Sequence, residues 1–348
     1  MDEQAVHQAL LRPQAYPDYQ GAVGFTETHV SRLYFTDRHV YKLKKPVDFG
    51  FLNFTSVDRR RFYCEEELRL NRRFAPGTYL GVVEIRRTAE GIRVAEAGEI
   101  LDYAVWMRRL PAEAMLDRRI EADDPALPAQ MAPLGERLAE LHRSSEVCRH
   151  DGGQSNLEVV RTNWRENFSQ IAPHVGRSLS APALGRLSAW VERHLAEEAA
   201  LIEAREADGF VRDGHGDLHA EHICLTEPLQ IYDCIEFNRR FRVADEAADI
   251  AFLLMDLEFR GRRDLAEALL AAWSAGRTDD GELAVLLPFY KVYRAFVRGK
   301  VESFLAAAPA AEAAIRQRAA QRARAYFNLA LGYLCRPALV LTAGLMGT

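Results

Sequence analysis

The spacing of apolar residues changes period about a third of the way along the chain. From Thr28 to Leu43 the segment THVSRLYFTDRHVYKL reads as two strands, with Val30, Leu33, Phe35, Val40, Tyr41 and Leu43 supplying β-branched and apolar content. Thr36-Asp37-Arg38 marks the turn between them, and Lys44-Lys45-Pro46 ends the second. A short helix over residues 4 to 11 precedes them, closed by Pro13 and Pro17. A longer helix is predicted from Ser56, an N-cap, to Phe74, with Pro76-Gly77 as its stop. Three further strands follow, near Leu80–Arg86, Ile92–Ala95 and Glu99–Met107.

Beyond this point a helical period prevails, over Ala129–His142, Leu157–Ile171, Ala181–Arg205, Asp249–Phe259, Leu265–Ala275, Leu283–Leu305 and Ala310–Tyr333. Two short strands, near Ile223–Leu225 and Gln230–Tyr232, interrupt it. A small β-rich lobe followed by a larger helical lobe is an α+β arrangement with a cleft between its parts. The expected divisions are residues 1–108 for the first lobe and 109–336 for the second, with 337–348 a separate stub.

Composition narrows the function classes. Of 348 residues, 48% are apolar and 27% charged, with a net charge of −5, so no basic field points to nucleic acid or an acidic membrane. The five cysteines, Cys64, Cys148, Cys224, Cys234 and Cys335, form no CxxC pair, which argues against a disulfide framework or a zinc ribbon. The N-terminus lacks the basic start and apolar run of a signal peptide. No apolar run approaches the roughly 18 residues of a membrane span. The expected setting is the cytoplasm, without nucleic-acid or membrane partners.

Chemistry concentrates in HGDLHAEHICLTEPLQIYDCIEFN, residues 215 to 238. Phosphoryl transfer needs a carboxylate to orient and deprotonate a hydroxyl, a second to hold the ion that neutralises the phosphates, and a lysine to fix them. Asp217 and Asp233, at the mouths of a short hairpin, would face one cleft as base and metal ligand. Two other readings stand beside this one. His215, Asp217, His219 and His222 form an HxDxHxxH cluster suited to zinc or iron in a hydrolase, or the histidines merely cap strands.

HGDLH, followed by a strand and the YDCIEFNRRFRVADEAADIA segment, resembles the aminoglycoside phosphotransferase and protein-kinase-like superfamily. The stretches YKLKKPVDFGFLNF, CEEELRLNRR, VWMRRLP and YRAFVRGK extend the resemblance to the N-terminal half of bacterial fused phosphotransferase–P-loop ATPase proteins. The resemblance implies a bilobal kinase-like fold and transfer of a phosphoryl group from ATP, with Mg2+ or Mn2+, to a hydroxyl of a small molecule. Asp217 falls on the catalytic aspartate, with His215 beside it in the motif; Asp233 falls on the metal aspartate and Asp249 on the aspartate bracing the catalytic loop. Glu236 and Asn238, just past Asp233, are expected to support the site. One departure matters: His222 stands where the family has an asparagine ligand, and magnesium seldom takes imidazole. That substitution, with the missing GxGxxG loop, keeps open a pseudokinase that binds nucleotide to regulate a P-loop ATPase.

In such a lobe a strand lysine pairs with a helix glutamate. HVYK, ending at Lys42, fits the lysine strand, while Lys44 and Lys45 nearer its end are expected to be solvated. Among Glu65, Glu66 and Glu67, separated by about 100° per residue, Glu67 falls inside the apolar sector and is the expected partner, with Glu66 second. Thr28 and Ser31 stand where a phosphate-covering turn belongs, and the resemblance places Met107–Leu110 at the adenine-binding hinge. For the acceptor, Arg294, Arg298 and Lys300 are anion-site candidates, and Asn163, Trp164, Glu166 and Asn167 are candidates for the cleft wall. Finally, Leu339–Ala343 reads as a buried strand leading to Gly344-Leu345-Met346-Gly347-Thr348, where a Walker A loop would begin. The resemblance there implies a P-loop ATPase domain as partner, in trans or lost by truncation.

Overall fold

The computed structural model describes residues 3–335 except Phe51 and Ala310, so the expected stub at 337–348 lies outside the described residues. Six strands, β1 (Gly24–Glu27), β2 (Ser31–Phe35), β3 (His39–Lys44), β4 (Tyr79–Thr88), β5 (Gly91–Val94) and β6 (Glu99–Arg108), form one antiparallel sheet ordered β1-β2-β3-β6-β4-β5. The expected β2–β3 turn closes through Thr36, whose N–H donates to His39 O at 2.9 Å and whose Oγ1 accepts from His39 N at 3.1 Å. Strand β1, not expected from the pattern, is an exposed edge whose register is set by backbone pairing with β2. The expected phosphate-covering turn is therefore the tip of a β-hairpin.

Helix α1 (Glu3–Leu10) packs Val6 and Leu10 on one face of the sheet. On the other face lies α2 (Val57–Asn71), started by Ser56, whose hydroxyl accepts from Arg59 N as the sequence predicts. Cys64 of α2 meets Val40, Tyr103, Val105 and Met107 in a small shared core.

The second lobe contains α3 (Leu116–Glu121), α4 (Leu127–Ser144), α5 (Asn156–Ile171), α6 (Ala181–Glu197), α7 (Ala199–Ala207), α8 (Arg239–Arg242), α9 (Glu246–Phe259), α10 (Arg263–Trp273), α11 (Asp280–Ala307) and α12 (Ala313–Tyr333). The single helix expected over 181–205 is broken at Glu198, where ψ is 12°. Apolar periodicity runs through that break and gives no sign of it. Helix α9 is buried from Glu246 to Leu257 and forms the axis on which the neighbouring helices pack. Two small ladders complete the lobe: β7 (Val211–Asp213) with β10 (Val243–Asp245), the latter against α9, and β8 (Ile223–Cys224) with β9 (Gln230–Ile231). A mixed α+β, bilobal kinase-like fold results, as expected. Among the described residues no helix is long and apolar enough to cross a membrane.

Candidate active site

The loop between β7 and β8 is held by backbone contacts to buried side chains. Asp249, on the first turn of α9, accepts from His215 N at 2.7 Å and Gly216 N at 2.9 Å. From α11, Arg294 donates to Gly216 O at 2.8 Å and Ala248 O at 3.1 Å. Gly216 has φ +80°, and a Cβ there would lie 2.9 Å from Phe241 O, so both the turn and the packing require glycine. Asp256 fixes the next segment by accepting from Ala220 N at 3.0 Å. Asp249, expected to brace this loop, thus accepts the two backbone N–H groups that precede Asp217. Arg294, an anion-site candidate from sequence, is buried and committed to these carbonyls.

His215 also departs from expectation. Its ring is 1% exposed, Nδ1 accepts from Asp217 N at 3.3 Å, and Nε2 donates to Tyr232 O at 2.9 Å. Burial holds its pKa down to about 4, in keeping with the neutral tautomer these bonds require. With both nitrogens bound to backbone, the ring ties Asp217 to the far strand of the hairpin. The sequence suggested a catalytic place for His215; here both of its nitrogens are occupied by backbone groups.

Asp217 and Asp233 face the same cleft, each with a side chain about one-third exposed. His222 lies between them. Its Nδ1 donates to Asp217 O at 2.9 Å and lies 3.6 Å from Asp217 Oδ2, while Nε2 is 3.5 Å from Asp233 Oδ2. His219 Nε2 stands 3.5 Å from the same Asp217 oxygen. Burial opposes ionisation of Asp217, but His219 and His222 outweigh it and hold the carboxyl far below its ordinary range. Asp233 adopts φ 64°, a left-handed conformation that aspartate tolerates better than most residues. Two residues overlooked in the sequence secure it: Tyr79 Oη accepts from Asp233 N at 3.1 Å, and Asn71 Oδ1 from Cys234 N at 2.8 Å. Both lie near element ends among apolar neighbours, and nothing in their spacing marks them.

Across the cleft, Lys42 donates to Glu67 Oε1 at 2.8 Å and to Asp233 Oδ1 at 2.5 Å, linking sheet, α2 and hairpin. The phase argument for Glu67 holds, since its side chain is fully buried while Glu66 pairs with Arg69 on the surface. Lys44 overturns its expectation. It is 1% exposed, donates to Glu67 Oε2 at 2.7 Å, and also binds Glu236. Alternation along β3 puts both lysines on one face, and α2 covers that face. Lys45 is likewise paired, 3.0 Å from Glu27. Burial raises the pKa of Glu67, yet Lys42 and Lys44 prevail and keep it ionised. Asn238 is an N-cap, accepting from Arg240 N at 3.1 Å on α8.

Thr28, Ser31, Met107 and Leu110 line the other end of this cleft, whose volume is about 1190 Å³. Thr28 Oγ1 accepts from Val30 N and Ser31 N and closes the β1–β2 tip. Ser31 Oγ is buried without a hydrogen-bond partner among the described residues. On the helical side, Asn163, Glu166, Asn167, Arg298 and Lys300 reach the cleft, whereas Trp164 is packed in the core. Lys300 donates to Asn167 Oδ1 and Gln170 Oε1, both at 2.6 Å, and burial lowers its pKa to about 8.

The profile of the phosphotransferase enzyme family matches residues 63–286. An uncharacterized protein of Mycobacterium tuberculosis, Rv2004c, is 33% identical over 278 residues, covering 79% of this chain and 54% of its own length. A counterpart in Mycobacterium bovis matches to the same extent, so the chain spans about half the length of these curated relatives. Among solved structures, a choline kinase from Cryptosporidium parvum superposes with a TM-score of 0.56 at 9% identity, over 96% of this chain and 95% of that one. The ADP-bound aminoglycoside phosphotransferase APH(2'')-Ib gives 0.51 at 13% identity, over 94% and 99%. At these identities the two structures bear on the fold alone.

Proposed function

The chain belongs to the phosphotransferase enzyme family, and from that premise we propose that it transfers the terminal phosphoryl group of ATP to a hydroxyl of a small molecule. The observation that carries this reading is the Lys42 bridge from Glu67 to Asp233, on the wall facing Asp217. Asp217 is the proton acceptor: it is ionised and faces the cleft, and its loop is fixed by Asp249 and Arg294. It orients the acceptor hydroxyl and takes its proton as the new P–O bond forms and the bond from the γ-phosphorus to the bridging oxygen breaks, releasing ADP. Lys42 holds nucleotide phosphate, kept in place by Glu67. Ser31 and the β1–β2 tip cover the phosphates, and the Met107–Leu110 backbone receives the base.

Asp233 and His222 would hold a divalent ion, Mg2+ or Mn2+. An ionised carboxylate and a tautomer-fixed imidazole nitrogen lie 3.5 Å apart, within reach of one such ion, which when bound would neutralise charge on the phosphates. His215, Asp249, Glu236 and Asn238 act as support. We place the protein in the cytoplasm and extend the proposal to a P-loop ATPase domain as partner.

A second reading has one observation in its favour. Asp217, His219 and His222 offer ligand atoms all within 4.8 Å of one another, a cluster that suits a metal-dependent hydrolase. Thermal shift separates the two, with ATP plus Mg2+ or Mn2+ raising Tm if the site is a phosphotransferase. Stabilisation by zinc but not by ATP would favour the hydrolase. ATP turnover lost in Asp217→Asn, with nucleotide binding retained, would establish chemistry and exclude a purely regulatory nucleotide-binding module.

A further inference from the structure

An imidazole between two site carboxylates has a consequence for which ion the site takes. His222 Nδ1 carries the proton, because it donates to Asp217 O at 2.9 Å. Nε2 therefore presents its lone pair, 3.5 Å from Asp233 Oδ2. Two ligand atoms about 3 to 3.5 Å apart can share a first-row ion at bond lengths near 2.0–2.2 Å. A backbone carbonyl that fixes the far nitrogen is the usual support of a metal-bound histidine. Next to it, His219 is 3% exposed, and its Nδ1 has no hydrogen-bond partner among the described residues.

Magnesium is poorly served by such a site. It demands oxygen donors in near-octahedral geometry and gives up water reluctantly, whereas imidazole affinity rises from manganese towards copper. We infer that this site selects a divalent first-row transition ion, of which manganese is the hardest example, over magnesium, with His222 Nε2 and an Asp233 oxygen as its protein ligands. The inference rests on the phosphotransferase reading, since it assigns His222 to the nucleotide-associated ion and leaves Asp217 free to accept a proton. Were the ion instead held by Asp217, His219 and His222 together, it would occupy the proposed base.

The test is binding of Mn2+ and Mg2+ to the full chain, by Mn2+ electron paramagnetic resonance and competition with Mg2+, first without nucleotide and then with ATP. Wild type should prefer Mn2+, and His222→Asn, which restores an oxygen ligand, should cut the Mn2+:Mg2+ affinity ratio by about tenfold or more. His219→Asn should leave that ratio unchanged. Thermal melting of each metal-free variant identifies any that fails to fold, in which case the glutamine variant at the same position, His222→Gln or His219→Gln, replaces it. A ratio indifferent to His222 would overturn the proposal, as would one that collapses in His219→Asn. The phosphotransferase reading fails separately. Its failure appears as no ATP binding with either ion, while the metal ratio still reports on His222.

Discussion

Lys44 Nζ lies 2.7 Å from Glu67 Oε2, on the opposite oxygen of the carboxylate that Lys42 grips through Oε1. One buried glutamate is thus shared by two buried ammonium groups, each of which also contacts a carboxyl group of the hairpin segment, Lys44 through Glu236 and Lys42 through Asp233. Position 67 is therefore both a structural keystone of the small lobe and the anchor of the proposed nucleotide lysine.

Glu67→Ala leaves two cations without their shared partner. Removing one member of a buried ion pair costs about 3–5 kcal/mol, so urea midpoints should fall steeply and nucleotide affinity with them. Glu66→Ala, on the exposed face, should change neither appreciably. The reverse pattern would invalidate the phase reading of α2.

Asp217→Asn keeps the side chain's shape and loses its basicity. Turnover should drop by about 10²–10⁴-fold, the usual contribution of a positioned base. ATP affinity measured by calorimetry should stay near wild type. Undiminished turnover would remove Asp217 from the proposed chemistry.

Arg294→Met strips donors from Gly216 O and Ala248 O. Gly216 O, in the loop, then lacks a donor, which should cost about 1–3 kcal/mol, whereas Ala248 O keeps its bond within α9. Loosening Gly216, the residue before Asp217, should lower turnover more than nucleotide affinity. Equal losses in both would point to a global defect.

Acid should destabilise the protein before its carboxylates titrate. His215 has a folded pKa of about 4 against an ordinary 6.5. Between those values the unfolded chain binds a proton that the native state refuses, so stability is full above pH 6.5 and is lost as pH falls towards 4. From pH 7 to pH 5 this one group should remove about 2 kcal/mol, readable as a fall in unfolding free energy. A flat stability profile over that interval would contradict the buried neutral ring.

Much of this was legible in the chain itself. Alternation in β2 and β3, the Ser56 cap and the apolar period of α2 located the small-lobe elements, because those signals arise between residues close in sequence. The same locality placed Lys42 on the β3 face and Glu67 in the apolar sector of α2, while the HGD and DCIEFN segments marked the loop and hairpin of the site. Three things required the third dimension. Whether Lys44 is solvated depends on what covers its face, and α2, reached through a separate loop, covers it with Glu67. Whether His215 and Arg294 touch ligand or backbone depends on Tyr232, Gly216 and Ala248, up to 78 residues distant. The burial that makes His215 neutral, and the carbonyl that fixes the His222 tautomer, likewise exist only once the loop has closed on α9. Local pattern set the elements and the chemical groups available; burial and long-range hydrogen bonds, which have no period in sequence, decided which of those groups face the cleft.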